Sequence, residues 1–231
     1  MDDRLEVESY RDADFSEVND GVARRALLLA GPRGRAIDLG TGPAEIPVLL
    51  CRRAPLWRVL AVDASRNMLR EAARRVAQEG LGQRIRLLLG DAKKLRRLPG
   101  GFDLVLSNSL LHHLQDPIPF WREVGRLAGL ARRGGKRGMV MVQDLARPAD
   151  RASARRLVRL HSQGAAPLLK ELFYRSLLAA FTPREVRAQL QAAGLGGLNV
   201  RRISDRHLVV YGRPVRRKAA QAAARPRRSK S

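Results

Sequence analysis

"AIDLGTGPAEIP", residues 36–47, is the stretch whose reading decides the fold. An apolar run ends in Asp38 and then breaks into Gly40-Thr41-Gly42. A short buried strand that opens straight into paired glycines predicts a ligand loop, because glycine lets the backbone approach a bound group closely. The helix that follows offers unpaired N–H groups to a negative group. In an open parallel sheet such loops lie at the carboxyl ends of the strands, where ligands bind.

Outward from this loop, strand-like and helix-like segments alternate, which predicts a parallel sheet covered by helices. Upstream, a helix is expected over Ser16–Ala30 and a first strand over Arg35–Leu39. Downstream come a helix over Ala44–Arg53, a strand over Val59–Asp63, and a helix to about Glu79 with Ser65 as its N-cap. Ile85–Leu89 and Phe102–Asn108 read as the third and fourth strands. Pro117 opens a helix that should run to Gly134-Gly135, and "GMVMVQDL" is the fifth strand. Residues 149–180 read as wholly helical, with apolar residues at helical spacing, and are expected to form an inserted cap over the functional edge. Thr182-Pro183-Arg184-Glu185 has the pattern of a capping box. Two strands, Leu198–Ile203 and His207–Tyr211, joined by a tight link, predict a final antiparallel pair. Asp205 and His207 read first as turn residues there. The organisation expected is an acidic amino-terminal lid helix (1–30), a main domain (31–212) and a basic disordered tail (213–231).

Bulk composition excludes several classes. There is one cysteine, Cys51, so neither an internal disulfide nor a site built on several thiolates can form. It sits on the apolar side of its helix and reads as core. The first twenty residues hold eight acids against Arg4 and Arg11, unlike the basic opening of a secretory signal. No apolar run reaches the length of a membrane span, so a cytoplasmic protein is expected. The net charge is +23, mostly arginine scattered over helix faces, with eight Lys/Arg and no acid from Arg213 onward. Scattered arginine is ordinarily a solvated face, yet such a field attracts polyanions whatever its origin. Aromatics make up only 4%, which gives a base-stacking platform little support.

The glycine loop itself narrows the ligand. A dinucleotide fingerprint needs G-x-G-x-x-G, and the sixth position from Gly40 is Glu45, whose carboxylate would also repel a pyrophosphate. The Gly-Lys-Ser/Thr of a Walker loop is absent. S-adenosylmethionine remains: it has a ribose, an adenine and a cationic sulfonium, and no phosphate. At this point the ordered set "AIDLGTGPAEIP", "VLAVDAS", "LLLGDAKKL", "FDLVLSNSLLHHLQDP", "GGKRGMVMVQDLARP" and "FTPREVRAQLQAAGL" resembles the class I S-adenosylmethionine-dependent methyltransferases, and within them the small-molecule branch that contains quinone-biosynthesis enzymes. The resemblance spans about 36–148 and 181–212; it leaves out the head, the helical insert and the tail.

The resemblance implies a Rossmann-like α/β fold: a seven-stranded, mainly parallel sheet in order 3-2-1-4-5-7-6, the last strand antiparallel, helices on both faces. It implies that Asp38, Gly40 and Gly42 surround the methionine end of the cofactor, and that Asp63 with Ala64 takes the ribose. Asp91 and Ala92 would take the adenine, and Asn108 would border the site. Ala44 stands where the family often has a third glycine. The stretch after the fourth strand would line the transfer site, with His112 or His113 as base or orienter, Ser109 and Asp144 towards substrate, and Tyr10 in a lid. Related quinone O-methyltransferases hold a metal with carboxylates beside the histidine; Leu110 and Leu111 stand there in this chain, so no metal is expected. Each carboxylate also has a plainer reading, as a buried structural group, a cap or a turn residue.

Methyl transfer from a sulfonium is an in-line displacement that mainly requires alignment, with a base only for a protonated nucleophile. A small-molecule acceptor suits an enclosing cap. An RNA- or DNA-modifying enzyme is the alternative that the charge supports, although "SNSLL" lacks the Asn/Asp-Pro-Pro-aromatic grip on a flipped base. A non-catalytic binding module is the other, since fold alone does not make an enzyme. Oligomeric state and acceptor atom do not follow from the sequence.

Overall fold

The computed structural model describes residues 16–129 and 137–215. Tyr10, the acidic head before Ser16, Gly134-Gly135 and the tail from Arg216 lie outside these residues. Seven strands form one sheet in the order β3-β2-β1-β4-β5-β7-β6. They are β1 (Arg33–Leu39), β2 (Leu56–Asp63), β3 (Ile85–Leu89), β4 (Leu104–Asn108), β5 (Met139–Leu145), β6 (Asn199–Arg202) and β7 (His207–Gly212). Pairing is parallel from β3 through β5, and β7 runs antiparallel to both β5 and β6. The central strands read as near-continuous apolar runs, as strands covered on both faces must.

Among the described residues seven helices cover the sheet: α1 (Ser16–Ala30), α2 (Glu45–Arg53), α3 (Arg66–Gln78), α4 (Ile118–Leu127), α5 (Arg151–His161), α6 (Pro167–Ala179) and α7 (Pro183–Ala192). One core joins α1–α3 to one sheet face through Val22, Ala26, Leu50, Ala72 and Trp57. The other joins α4 and α7 to the opposite face through Phe120, Trp121, Leu127, Val186 and Leu190. A third cluster holds α5 and α6 together and to the end of β5, through Leu145, Leu157 and Leu177.

Local signals account for most boundaries. Ser65 Oγ accepts from Met68 N at 3.2 Å and starts α3. Thr182 and Glu185 form the reciprocal capping box that starts α7. Two expectations are corrected. The helix after Pro117 stops at Leu127, because Gly129 turns left-handed at φ 82° and ends the ladder. Residues 149–180 are not one helical run: the chain breaks after His161, turns at Gly164 with φ 76°, and restarts at Pro167. Among the described residues no helix is long and apolar enough to cross a membrane.

Candidate active site at the strand tips

The carboxyl ends of β1, β2 and β3 are tied to one another by backbone hydrogen bonds. Gly40 N and Thr41 N both donate to Val62 O at 2.9 Å, and Gly90 N donates to Asp63 O at 2.9 Å. Gly40 and Gly42 have φ 73° and 55°, a region glycine enters without penalty. A Cβ on Gly40 would lie 3.0 Å from Leu110, whereas one on Gly42 would meet nothing within 4 Å. The loop is therefore closed against the β4 side at Gly40 and open above Gly42.

Asp63 ends β2 facing this opening. Its Oδ2 accepts from Gly42 N and its Oδ1 from Ser65 N, both at 2.8 Å. Two amides thus fix the carboxylate plane, and each oxygen keeps a further lone pair for an incoming hydroxyl. Ala64, between them, is exposed. Asp38 lies one strand away and is buried, with the Thr41 hydroxyl donating to its Oδ2 at 2.7 Å. Burial pushes its carboxyl up to about 7; the Thr41 bond opposes the rise and the Asp63 charge adds to it. Asp91 is partly buried after β3, its Oδ1 accepting from Lys93 N at 2.9 Å, with Ala92 packed beneath it. Glu45 opens α2 and accepts from Asn19 of α1 at 2.8 Å, so α1 is hooked over this half of the edge.

The other half is built round Asp144. This carboxylate is 1% exposed and accepts three donors: Leu111 N at 2.7 Å, Leu145 N at 2.7 Å and His112 Nδ1 at 2.7 Å. A carboxylate oxygen can only accept here, so Nδ1 carries the ring proton and Nε2 is left as the proton acceptor. From the sequence Asp144 reads as either a substrate-positioning or a capping group; in the structure it caps the Leu111–His113 turn and orients His112. His113 stacks obliquely on His112 with ring centres 4.0 Å apart. Loss of water around its ring, and then the neighbouring His112, push His113 down to about 4, though the residue as a whole is exposed. Asn108 ends β4 half-buried opposite Gln143. Ser109 follows with φ 54°, a strained value for a residue with a side chain, held by its N–H to Gln143 O at 3.0 Å. Ser107 points the other way, bonded to Leu39 O at 2.7 Å and fully buried.

Helix α6 lies against the Leu111–His113 turn. It buries only Leu177 completely, leaving Leu169, Leu172 and Phe173 partly open and Leu168 exposed. The sequence reading missed three ties across this edge. Arg25 reaches Gln143 at 2.7 Å, Asn19 reaches Glu45, and His161 at the end of α5 meets Asp205 of the β6–β7 turn at 2.6 Å. Asp205 therefore does more than turn the chain. His207 stays with the turn, its Nδ1 3.2 Å from Ser204 Oγ. Cys51 is buried, as expected of a core residue. Among the described residues no group of three or more His, Cys, Asp or Glu is arranged so as to hold a metal ion. Two open surface grooves, one beside Leu28 and Pro32 and one beside Leu198 and Tyr211, lie at the opposite end of the sheet, away from this chemistry.

The Methyltransferase domain family matches residues 36–135. An uncharacterised methyltransferase of Mycobacterium tuberculosis is 30% identical over 183 residues, 78% of this chain and 87% of that protein. A ubiquinone/menaquinone biosynthesis C-methyltransferase of Desulfotalea psychrophila is 35% identical over 94 residues. That match takes in 41% of this chain and only 37% of the relative's length. A putative S-adenosyl-L-methionine-dependent methyltransferase of Methanococcus maripaludis superposes with a TM-score of 0.67 at 15% identity, over 94% of this chain and 93% of the other. At that identity the likeness is one of fold.

Proposed function

Because the chain belongs to the class I S-adenosylmethionine-dependent methyltransferases, we propose that its acceptor is a small molecule whose nucleophile arrives protonated, with His112 as the base. The observation that carries this reading is the buried 2.7 Å bond from His112 Nδ1 to Asp144, which commits Nε2 to accepting a proton. Helix α6 supports the small size of the acceptor, since it lies against the same turn and leaves apolar side chains partly open. The relative named for ubiquinone/menaquinone biosynthesis, a C-methyltransferase, adds support for a quinone-like acceptor.

The residues at the tips of β1–β3 suit the cofactor. Asp63, braced by Gly42 N and Ser65 N, can receive both hydroxyls of a ribose. Asp91 and the backbone of Ala92 suit an adenine, and Asp38 with Gly40 and Gly42 suits an ammonium and carboxylate end. Bound there, the cofactor supplies an electrophilic methyl on a sulfonium. The chain's own work is to align the acceptor over Asn108 and Ser109, keep water out with α6, and accept a proton at His112 Nε2 while Asp144 stabilises the imidazolium.

Calorimetric titration with S-adenosylhomocysteine tests the first half, and a turnover assay with S-adenosylmethionine and hydroxylated acceptors the second. Asp63→Ala is expected to weaken binding roughly a hundredfold, as loss of a charged hydrogen-bond acceptor does. His112→Ala should leave that affinity unchanged and lower turnover of hydroxylated acceptors roughly a hundredfold. Unchanged affinity in the first variant removes Asp63 from the cofactor; full turnover in the second removes the base.

A further inference from the structure

The end of the sheet away from the strand tips carries a surface that methyl transfer does not use. Leu28, on the last turn of α1, is 87% exposed, and Leu56, the first residue of β2, is 67% exposed. A single exposed leucine is ordinary. These two flank one corner, the Gly31-Pro32 link. A groove beside Leu28 runs between Arg24, Pro32 and Arg53, and Leu56 is paired in register with Arg33, directly after Pro32. Arg24, Arg33, Arg52, Arg53 and Arg58 are all exposed around it. Of the acids of this rim, Asp20 is engaged by Arg24 and Arg53 and Glu79 by Arg52, while Asp103 accepts the Arg35 amide at 2.8 Å. Among the described residues Arg33 and Arg58 make no ion pair. The last described residues leave at the same end, where Arg137 holds Pro214 O at 3.1 Å, and the sequence beyond Val215 adds seven Lys/Arg and no acid.

Positive charge alone would suit any polyanion. The leucines discriminate. A nucleic acid gains nothing from burying two aliphatic side chains, and it would want stacking rings. Trp57, the aromatic of this corner, is fully buried with its Nε1 donating to Gly31 O. A bilayer with anionic headgroups takes both parts at once, aliphatic tips at the acyl boundary and guanidinium groups among phosphates. With no spanning helix among the described residues, such contact is peripheral. We propose that this corner, Leu28 and Leu56 framed by Arg33, Arg53 and Arg58, docks reversibly on an anionic lipid surface, with the strand tips on the side away from it. The proposal is independent of the acceptor assigned above.

Flotation of the full-length protein with vesicles tests it. Binding is expected to phosphatidylcholine vesicles carrying about a third phosphatidylglycerol, with little to phosphatidylcholine alone, and to fall steeply with salt. Leu28→Ser/Leu56→Ser should lower the partition coefficient roughly tenfold. Arg33→Glu/Arg58→Glu should lower it at least roughly tenfold. All four sites are exposed, so circular dichroism and S-adenosylhomocysteine affinity should not move. Partition of the leucine variant equal to that of the native chain overturns the proposal, because the basic tail then acts alone. Binding to RNA but not to vesicles, unchanged by the leucine substitutions, overturns it in favour of a nucleic acid.

Discussion

The edge that carries the strand tips falls into two halves built by different means. Around β1–β3 the groups are placed by backbone: glycines in left-handed turns, amides that brace Asp63, and contacts between residues in adjoining loops. Around β4, β5 and β7 they are placed by side chains that meet across the fold, above all the buried pair of Asp144 with His112, and at the surface His161 with Asp205. The first half should tolerate side-chain changes that keep the turns. The second should fail when one buried partner is removed.

Asp144→Ala is the hardest test of that contrast and the largest expected effect. It strands three buried donors, at about 1–3 kcal/mol each before relaxation, so a loss of at least about 3 kcal/mol is expected. Urea unfolding measures it; a loss below about 1 kcal/mol would show that the second half does not hang on this carboxylate. Asp38 comes next. Its folded pKa is raised to about 7 from 3.8, so the folded state holds a proton the unfolded chain has lost. Stability from this group is therefore greatest below about pH 4 and declines as pH climbs towards 7. Asp38→Asn should flatten that slope in denaturant titrations at several pH values. An ammonium docking beside Asp38 favours its charged form, so S-adenosylhomocysteine binding near pH 7 should expel a proton. Calorimetric heats that do not vary with the buffer's ionisation enthalpy would contradict this. The smallest effect is expected at Ala44, held at φ 58° and fully buried. Ala44→Gly relieves a strain of about 1 kcal/mol, yet it loses a buried methyl worth about 0.8 kcal/mol and loosens the unfolded chain. A net change within about 0.5 kcal/mol is expected in melting experiments; a larger one would mean that the turn depends on that side chain.

The same contrast explains what could be read in advance. Strand order and the glycine loop were legible because they rest on local apolar runs and turn residues, and because the ordered motifs resemble a known family. His112 and Asp144 were each visible as polar residues at strand ends. Their partnership was not, because it spans 32 positions and appears only when β4 and β5 are laid side by side, Asn108 opposite Gln143. The implied strand order already held that signal. His161 gave none: a histidine at a helix end looks solvated until the β6–β7 turn is folded back against it. The end of α4 was misplaced because Gly129 was passed over in favour of the later glycine pair.

Cys51 gives this architecture a built-in clock. The chain's single thiol is sealed between α2 and the start of β2, at the end of the sheet away from the glycine loop, its Sγ 3.7 Å from Trp57 O and its ionisation pushed up to about 11 by burial. Alkylating reagents find almost no thiolate while the layer is shut. Each labelling event therefore records a moment when α2 has lifted from the start of β2, and a guest that stabilises the folded sheet as a whole should lengthen the wait between events.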